Sequence, residues 1–296
     1  MTDPTREPWE ADHDLPPEEA RARLGSAFPG LRAGDVRYLA EGWDFRVFEV
    51  DGWAFRFPKR AECEQALAAE AALLARIADA LPVPVPRYEF LANGIGGYRK
   101  LTGQPASRAR AGWAADFAAF LTALHGLPVG GLKLPVRGAE TSPAGLSERL
   151  ARSLGRVERA LEPGVLAACR AVVEALAPPP SPGPPVVTHD DLYPEHLLVS
   201  ADGDAVTGVL DWGDAALGDP AIDFFVAGFC GGDRFLESVV RRYGREADAG
   251  LLARARHGAR FMAAIHIVDG VRMKRPDYVD DGIASLERLG LLRSHG

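Results

Sequence analysis

Short runs of aromatic and β-branched residues, separated by polar turns, fill much of the first hundred positions of the chain. Phe45–Val50 and Trp53–Phe57 flank the dipeptide Asp51-Gly52. Two β-forming runs joined by Asp-Gly predict a β-hairpin. The same pattern predicts a second hairpin from Tyr88–Leu91, Asn93-Gly94 and Gly97–Leu101.

Between the two predicted hairpins the apolar residues change to helical spacing. This spacing predicts an amphipathic helix over Ala61–Ala80. An earlier helix is predicted to begin near Pro17, where two glutamates favour a helix N-terminus, and to end before Phe28. The first part of the chain therefore reads as a small antiparallel sheet with one helix against it, preceded by a helical extension.

After Gly103 the pattern becomes mainly helical. Helices are predicted over Ala111–His125, within Ser147–Ala177 and through most of the chain from Pro220 onward, with short strands at Val186–Thr188 and within Ala205–Trp212. The proline-rich run Pro178–Pro185 predicts a stiff surface connector. The expected fold class is α+β with two lobes, divided between residues 103 and 104.

Composition narrows the function classes. The chain has 296 residues, and 34 basic against 41 acidic side chains give a net charge of −7. A nucleic-acid-binding protein usually carries a basic surplus, so we expect no nucleic-acid partner. The three cysteines do not form a disulfide framework, and neither a signal peptide nor an apolar run long enough to span a membrane is evident. We expect a cytoplasmic monomer without a membrane partner.

The densest cluster of ionisable residues lies in two blocks, His189–His196 and Asp211–Asp214. Each block follows a run of apolar β-forming residues, and strand ends can hold side chains in a cleft. Two carboxylates held in this way suit Mg²⁺, which prefers oxygen ligands and also takes substrate phosphates. Asp191 could then accept a proton from a hydroxyl nucleophile.

These blocks carry a resemblance to a known family. His189-x-Asp191 with His196, then the run from Leu210 to Asp214, then Gly218-Asp219-Pro220-x-x-Asp223, resembles the aminoglycoside phosphotransferases, which share the protein-kinase-like fold. The phrases RFPK, VPVPRYEF and YRKLTG are most similar to the 2''-O-phosphotransferases, with the macrolide 2'-phosphotransferases second. The resemblance implies a nucleotide-binding lobe over residues 1–103 and a catalytic, substrate-binding lobe over residues 104–296.

The resemblance implies roles for the second lobe. Asp191 is the expected catalytic base, and Asp211 is the expected Mg²⁺ ligand. His196 stands where most members carry asparagine, and it is the second expected metal residue. Asp190 replaces the usual glycine. Because an aspartate has a side chain, we expect the backbone at this position to have a negative φ. His189 and Asp223 are expected to be structural, the latter bracing the loop, and Asp219 could be a helix N-cap.

The resemblance also implies a nucleotide site in the first lobe. Only four lysines are present, at Lys59, Lys100, Lys133 and Lys274. Arg56, not a lysine, stands at the position that grips the nucleotide phosphates, with Glu70 as its partner acid. The remaining expected nucleotide contacts are Gly42, Tyr98, Arg99 and Leu101. Because Tyr98 resembles the bulky gatekeeper of GTP-preferring members, we expect GTP to serve at least as well as ATP.

The acceptor is less sharply indicated. An acidic protein favours a cationic acceptor, and the implied activity is phosphorylation of an antibiotic hydroxyl, most simply on an aminoglycoside, which confers resistance. The candidate acidic wall consists of Asp214, Asp233, Glu237 and Asp269. A macrolide would instead require an apolar pocket, for which the candidates are Phe224, Phe229, Phe235 and Phe261.

Two alternatives share most of these features. A pseudokinase-like regulatory module is suggested by Arg56 in place of lysine and by the absence of a full glycine-rich loop, although Asp191 and Asp211 are retained. A housekeeping kinase for a small metabolite would carry the same motifs and differ only in its acceptor. A metal-dependent phosphohydrolase lacks support because no second His/Asp pair recurs with suitable spacing.

Overall fold

The computed structural model describes residues 7, 9–31, 34–110 and 112–293. The chain divides into two compact units. The first consists of Met1–Asp79 with Pro84–Thr102, and the second of Ala80–Val83 with Gly103–Gly296. The boundary between the two units lies between residues 102 and 103, one residue before the expected position. The second unit also includes Ala80–Val83, which we expected in the first.

The first unit is built on a five-stranded antiparallel sheet with strand order β1-β2-β3-β5-β4. Its strands are β1 (Val36–Glu41), β2 (Phe45–Val50), β3 (Trp53–Pro58), β4 (Tyr88–Ala92) and β5 (Ile95–Arg99). Helix α2 (Cys63–Ile77) follows β3, and α1 (Pro17–Ala27) precedes the sheet. This arrangement confirms the predicted small antiparallel sheet, its helix and its helical extension.

Both predicted hairpin turns have the backbone that their dipeptides favour. Asp51 and Gly52 have φ values of 50° and 81°, and Asn93 and Gly94 have values of 52° and 73°. Positive φ at both central positions defines the tight turn that matches the right-handed twist of paired strands. The two-residue turn sets the register of β2 and β3, because it places Val50 opposite Trp53.

The N-terminal segment is part of the first unit's structure. Leu24 of α1 is fully buried in one core cluster with Phe55 and Phe57 of β3. The preceding residues lie along the sheet, where the Asp12 amide donates to the Lys59 carbonyl at 2.9 Å. Arg46 of β2 reaches the same stretch through a 3.2 Å hydrogen bond to the His13 carbonyl.

We expect Leu24→Ala to lower the free energy of unfolding by about 2–5 kcal/mol, because it removes buried methyl groups and leaves a cavity. Equilibrium urea unfolding measures the change. Leu176 is 96% exposed, so Leu176→Ala serves as the control and should leave the unfolding free energy nearly unchanged. Equal effects of the two substitutions would show that α1 does not contribute to the core.

The second unit is mainly helical. Its helices are α3 (Trp113–His125), α4 (Pro143–Leu154), α5 (Pro163–Glu174), α6 (Phe225–Arg242), α7 (Leu251–Met273) and α8 (Pro276–Arg288). The predicted start of α3 at Ala111 lies outside the described residues. Residues 175–185 carry no helix or strand, as the proline-rich run predicts.

Five short strands accompany these helices. They are β6 (Gln104–Pro105), β7 (Val186–Thr188), β8 (Leu197–Val199), β9 (Val206–Val209) and β10 (Ala216–Gly218). Antiparallel pairing joins β7 to β10, and β8 lies between β6 and β9. The predicted strands correspond to β7 and β9, whereas β6, β8 and β10 were not predicted.

Among the described residues, no helix combines the length and apolar character that a membrane span requires.

Candidate active site

Two loops of the second unit carry the acidic residues singled out by the sequence. The loop of residues 189–196 joins β7 to β8, and the loop of residues 210–215 joins β9 to β10. Because β7 pairs with β10 and β8 with β9, the pairing brings the two loops together. A hydrogen bond of 2.8 Å from the Leu210 amide to the His196 carbonyl links them directly.

The first loop is fixed from beneath by Asp223. Its carboxylate accepts the backbone N–H groups of His189 at 2.9 Å and Asp190 at 3.0 Å. The carboxylate lies 3.1 Å from Nε2 of His125, and both side chains are fully buried. Asp223 therefore braces the loop, as the sequence predicts. Asp219 is the N-cap of the short 3-10 helix that begins at Pro220.

His189 is a structural residue within the first loop. Burial lowers the pKa of its imidazole to about 4, so the ring is neutral near pH 7. Its Nε2 lies 2.9 Å from the Leu210 carbonyl, and its Nδ1 accepts the Asp191 amide at 3.3 Å. The ring packs on buried Trp212 with 4.7 Å between centroids. His189 thus ties the two loops together, which confirms its expected structural role.

Asp190 corrects one expectation. We expected an aspartate at this position to have a negative φ, but its φ is 72°. Aspartate is among the few residues that tolerate the left-handed region, because its short polar side chain can bond locally. Its carboxylate lies 2.6 Å from Nε of Arg137, with only 6% of the side chain exposed. A buried ion pair therefore accompanies the strained backbone.

His196 lies between the two carboxylates that the sequence assigns to chemistry. Its Nδ1 is 3.5 Å from an oxygen of Asp191, and its Nε2 is 3.5 Å from an oxygen of Asp211. Nδ1 also bonds the Asp191 backbone carbonyl at 2.7 Å, which fixes the ring. Asp211 adopts a left-handed backbone with φ of 60°. The structure thus brings Asp191, His196 and Asp211 together.

The electrostatics of this cluster follow from burial and from the position of His196 between two carboxylates. Burial raises the pKa of Asp191 to about 7, against the opposing effect of His196. Burial also disfavours a charged His196, but the Asp211 and Asp191 carboxylates outweigh it and raise the pKa of the imidazole to about 9. A carboxylate with a pKa near neutrality can accept a proton during a reaction and release it afterwards.

The donor set fits a divalent cation held partly by other ligands. Within the described ranges no group of three or more His, Cys, Asp or Glu side chains is arranged to enclose a metal. Mg²⁺ does not need such a cage, because it is usually bound through one or two carboxylates together with water and substrate phosphates. The Asp211 carboxylate can supply such an oxygen. With its pKa raised to about 9, His196 is protonated near pH 7, so Nδ1 donates to the Asp191 carbonyl and the Nε2–H group faces Asp211. The ring would have to lose a proton before it could itself bind a metal.

The first unit holds the predicted arginine–glutamate pair. Nη1 of Arg56 in β3 lies 2.7 Å and 2.6 Å from the two oxygens of Glu70 in α2. Arg56 is 4% exposed and Glu70 is 2% exposed. Tyr88 Oη accepts from Nη1 at 3.0 Å, and the guanidinium lies 4.1 Å from the Phe45 ring centroid. The partnership predicted from the sequence is therefore present.

Lys59 has a different set of contacts. It follows the last residue of β3, as predicted, but its side chain is buried and turned to the β1–β2 turn. Its ammonium donates to the Gly42 carbonyl at 3.1 Å and lies 2.6 Å from Glu41. The Gly42 amide closes the turn on the Phe45 carbonyl at 2.9 Å. A Cβ at Gly42 would meet no described protein atom within 4 Å, so packing within the protein does not require glycine here, and its assignment to nucleotide contact stays a prediction.

The other expected nucleotide residues lie at and after β5. Tyr98 is 6% exposed and packs edge-on against Tyr88, with 5.3 Å between ring centroids. The Arg99 guanidinium lies 3.9 Å from the ring centroid of Trp53. Leu101 is half-buried and lies just beyond the strand. Their assignment to nucleotide contacts stays a prediction.

Each candidate acidic wall residue has an arginine near it. Asp214 pairs with Arg137, and Asp269 lies 3.5 Å from Arg272. Arg256 bonds Glu237 and lies 3.6 Å from Asp233. The wall is therefore partly neutralised. The candidate residues of an apolar macrolide pocket mostly fill the core. Phe224, Phe229 and Phe261 are buried, and Phe235 packs on Trp113.

Sequence reasoning missed two further contacts of this site. Arg137 touches both loops, yet it lies in an irregular segment without a recognisable motif. Tyr278 of α8 donates to Glu195 of the first loop at 2.8 Å and stacks on His266 of α7, with ring centroids 4.3 Å apart. The only sequence signal for the second contact was the position of Glu195 inside the acidic block.

The chain is similar to proteins of known sequence and structure. Residues 35–262 match the phosphotransferase enzyme family APH. The uncharacterized protein YcbJ of Bacillus subtilis (strain 168) is 30% identical over 111 residues, which span 37% of this chain and 36% of that protein.

Solved structures resemble nearly the whole chain. The GDP and kanamycin complex of APH(2")-IIia is 25% identical with a TM-score of 0.68, covering 90% of this chain and 97% of that one. The macrolide 2'-phosphotransferase MphH from Brachybacterium faecium is 26% identical with a TM-score of 0.62, covering 91% and 98%. The two units, the arginine–glutamate pair and the acidic loop cluster thus lie in a chain that belongs to the APH phosphotransferase enzyme family, as a kinase-type enzyme.

Proposed function

We propose that this enzyme transfers the γ-phosphoryl group of a nucleoside triphosphate to a hydroxyl of a small cationic antibiotic, an aminoglycoside. The observation that carries the proposal is the position of His196, 3.5 Å from both Asp191 and Asp211. Phosphoryl transfer depends chiefly on alignment and charge neutralisation. Asp191 as the base and Asp211 as the metal-binding carboxylate, both beside the fixed His196 ring, would supply alignment and charge neutralisation.

Asp191 is the proposed catalytic residue. Its carboxylate would accept a hydrogen bond from the acceptor hydroxyl and take its proton as the oxygen attacks the γ-phosphorus, while the bond to the β–γ bridging oxygen breaks and the nucleoside diphosphate leaves. The pKa of Asp191, raised by burial to about 7, suits a group that must gain and then lose a proton near neutral pH. Its amide is fixed by His189, so the carboxylate is oriented before substrates bind.

Asp211 and His196 are the proposed metal residues. A bound Mg²⁺ would neutralise phosphate charge and help to orient the γ-phosphoryl group. Asp211 would supply an oxygen ligand, and His196, which lies 3.5 Å from both carboxylates, would orient them and offset their charge.

Arg56 is the proposed phosphate contact of the first unit. Glu70 and Tyr88 occupy Nη1 of its guanidinium. Arginine offers five N–H donors in a planar fork and suits phosphate oxygens. The ion pair with Glu70 fixes the orientation of the guanidinium, which a contact to phosphate oxygens requires.

The acceptor class rests on charge and on likeness. The net charge of −7 favours cationic substrates, and the first structural relative described above binds kanamycin. A macrolide is the second candidate, because MphH is similar to the same degree. The burial of the phenylalanines that a macrolide pocket would require favours the aminoglycoside.

A panel of aminoglycosides, macrolides and small metabolic alcohols, assayed for nucleotide consumption, tests the proposal. We expect acceptor-dependent turnover with aminoglycosides, and NMR of the product locates the phosphate. Turnover only with macrolides or with a metabolite would replace the acceptor class. Nucleotide binding without turnover on any acceptor would favour a pseudokinase-like regulatory module.

We expect GTP to support turnover at least as well as ATP. The bulky Tyr98 ring is fixed against Tyr88, and such a residue limits the space beside the purine edge that this segment would bind. Steady-state kcat/KM values for the two donors measure the preference. A strong preference for ATP would contradict the role given to Tyr98.

A further inference from the structure

We propose that Arg137 is a positioning residue, which holds the loop carrying Asp191 and the loop carrying Asp211 in one arrangement. Its effect on phosphoryl transfer rests on the proposed function above. Arg137 belongs to neither loop, and it lies in the irregular segment between α3 and α4.

The guanidinium of Arg137 contacts both loops at once. Its Nε lies 2.6 Å from Oδ2 of Asp190, the residue directly before the catalytic base. Its Nη2 donates to the backbone carbonyl of Asp214 at 2.9 Å and to Oδ1 of the same residue at 3.1 Å. Asp214 lies three residues after Asp211. One side chain thus joins the residue next to Asp191 to a residue three positions after Asp211.

The backbone of Arg137 is itself fixed. Its amide donates to the Leu217 carbonyl at 2.9 Å, and the Leu217 amide donates to the Pro135 carbonyl at 2.8 Å. Val136 and Leu217 form a parallel β-bridge. The arginine is therefore held by β10 at its main chain and by both loops at its head.

The position of the loop at Asp190 depends on Arg137, because the guanidinium is the countercharge of the Asp190 carboxylate. Its φ of 72° is uncommon for a residue with a side chain. Its Oδ1 is buried and accepts no hydrogen bond from the part of the chain that the structure describes. A buried carboxylate without a countercharge is costly. Loss of Arg137 would leave Asp190 in that state, and turning it toward solvent would move the adjacent Asp191.

The other supports of the loop do not replace this contact. Asp223 holds the backbone amides of His189 and Asp190 but carries a negative charge, so it cannot neutralise the Asp190 carboxylate. We therefore expect loss of Arg137 to displace the catalytic side chain without unfolding the second unit.

Arg137→Ala tests the inference. Misplacement of a reacting group by about 1 Å can cost on the order of 100-fold in rate, so we expect kcat to fall about 10- to 100-fold on this basis. The KM for nucleotide should change little. Hydrogen exchange of the amides of residues 189–193 should become faster. Arg152→Ala is the control, because that exposed arginine pairs with Glu148 on the surface of α4.

Asp190→Asn provides the rescue. Asparagine tolerates the left-handed backbone and carries no charge, so Arg137→Ala should cost much less kcat in this background than in the wild type. Arg137→Lys, which keeps the charge but not the two-sided fork, should give an intermediate rate.

Some results would overturn the inference. One is a fall in Tm with unchanged kcat, and another is an equal loss of kcat in the Asp190→Asn background. If the wild type transfers phosphate to no acceptor, the proposed function fails instead. Hydrogen exchange then still decides the positioning role, since unchanged exchange in Arg137→Ala would refute it and faster exchange would support it.

Discussion

Asp191→Asn is expected to lower kcat by about 10²–10⁴-fold, the range typical for loss of a general base. Asparagine has nearly the same shape, so the loop retains the Asp191 amide and carbonyl contacts to His189 and His196. The variant loses the proton acceptor and one of the two carboxylates beside the His196 ring. Initial rates with a responsive acceptor measure kcat, and calorimetry measures nucleotide affinity, which should stay within a few-fold of the wild type.

The matched control for this change is Asp35→Asn, which alters an exposed aspartate of the first unit. It should leave both kcat and nucleotide affinity unchanged. Wild-type turnover by Asp191→Asn would remove Asp191 from the role of base. A parallel loss of nucleotide affinity would show that the residue acts mainly in binding.

Arg56→Ala is expected to lower kcat/KM for the nucleotide by about 10²–10³-fold, the cost of removing one preorganised charged donor. The substitution removes the proposed phosphate contact and leaves Glu70, 2% exposed, without its countercharge. Lys59→Ala should cost less, because the Lys59 ammonium is committed to Gly42 and Glu41. Steady-state kinetics on both variants gives the comparison.

Arg56→Lys separates charge from folding in this experiment. It keeps a cation beside Glu70 but loses the fork, so we expect an intermediate kcat/KM and a Tm closer to the wild type than that of Arg56→Ala. A larger loss in Lys59→Ala than in Arg56→Ala would transfer the phosphate contact to Lys59.

The local structure of the first unit was predictable because its signals are short in range. The Asp51-Gly52 and Asn93-Gly94 dipeptides favour the positive φ values that both turns adopt. The helical spacing of leucines predicted α2. In the second unit β8 and β10 are only three residues long, and such strands depend on pairing with distant segments, which a local pattern does not show.

The acidic cluster was predictable from motif order, but its supports were not. The sequence placed Asp191, His196 and Asp211 in one site, and the structure brings them within 3.5 Å contacts. The positive φ of Asp190 is accompanied by an ion pair with Arg137, 53 positions earlier in the chain, and the sequence pattern indicated neither. No pattern of spacing marks a pair whose partners are so far apart.

The N-terminal helix α1 has a practical consequence for work on this enzyme. The family match begins at residue 35 and ends at residue 262, after α1 and inside α7. A fragment cut at those limits would lose Leu15, Ala20 and Leu24 from the core that holds Phe55 and Phe57, and it would end in mid-helix. We therefore expect the smallest fragment that folds as the enzyme does to extend beyond the family match at both ends.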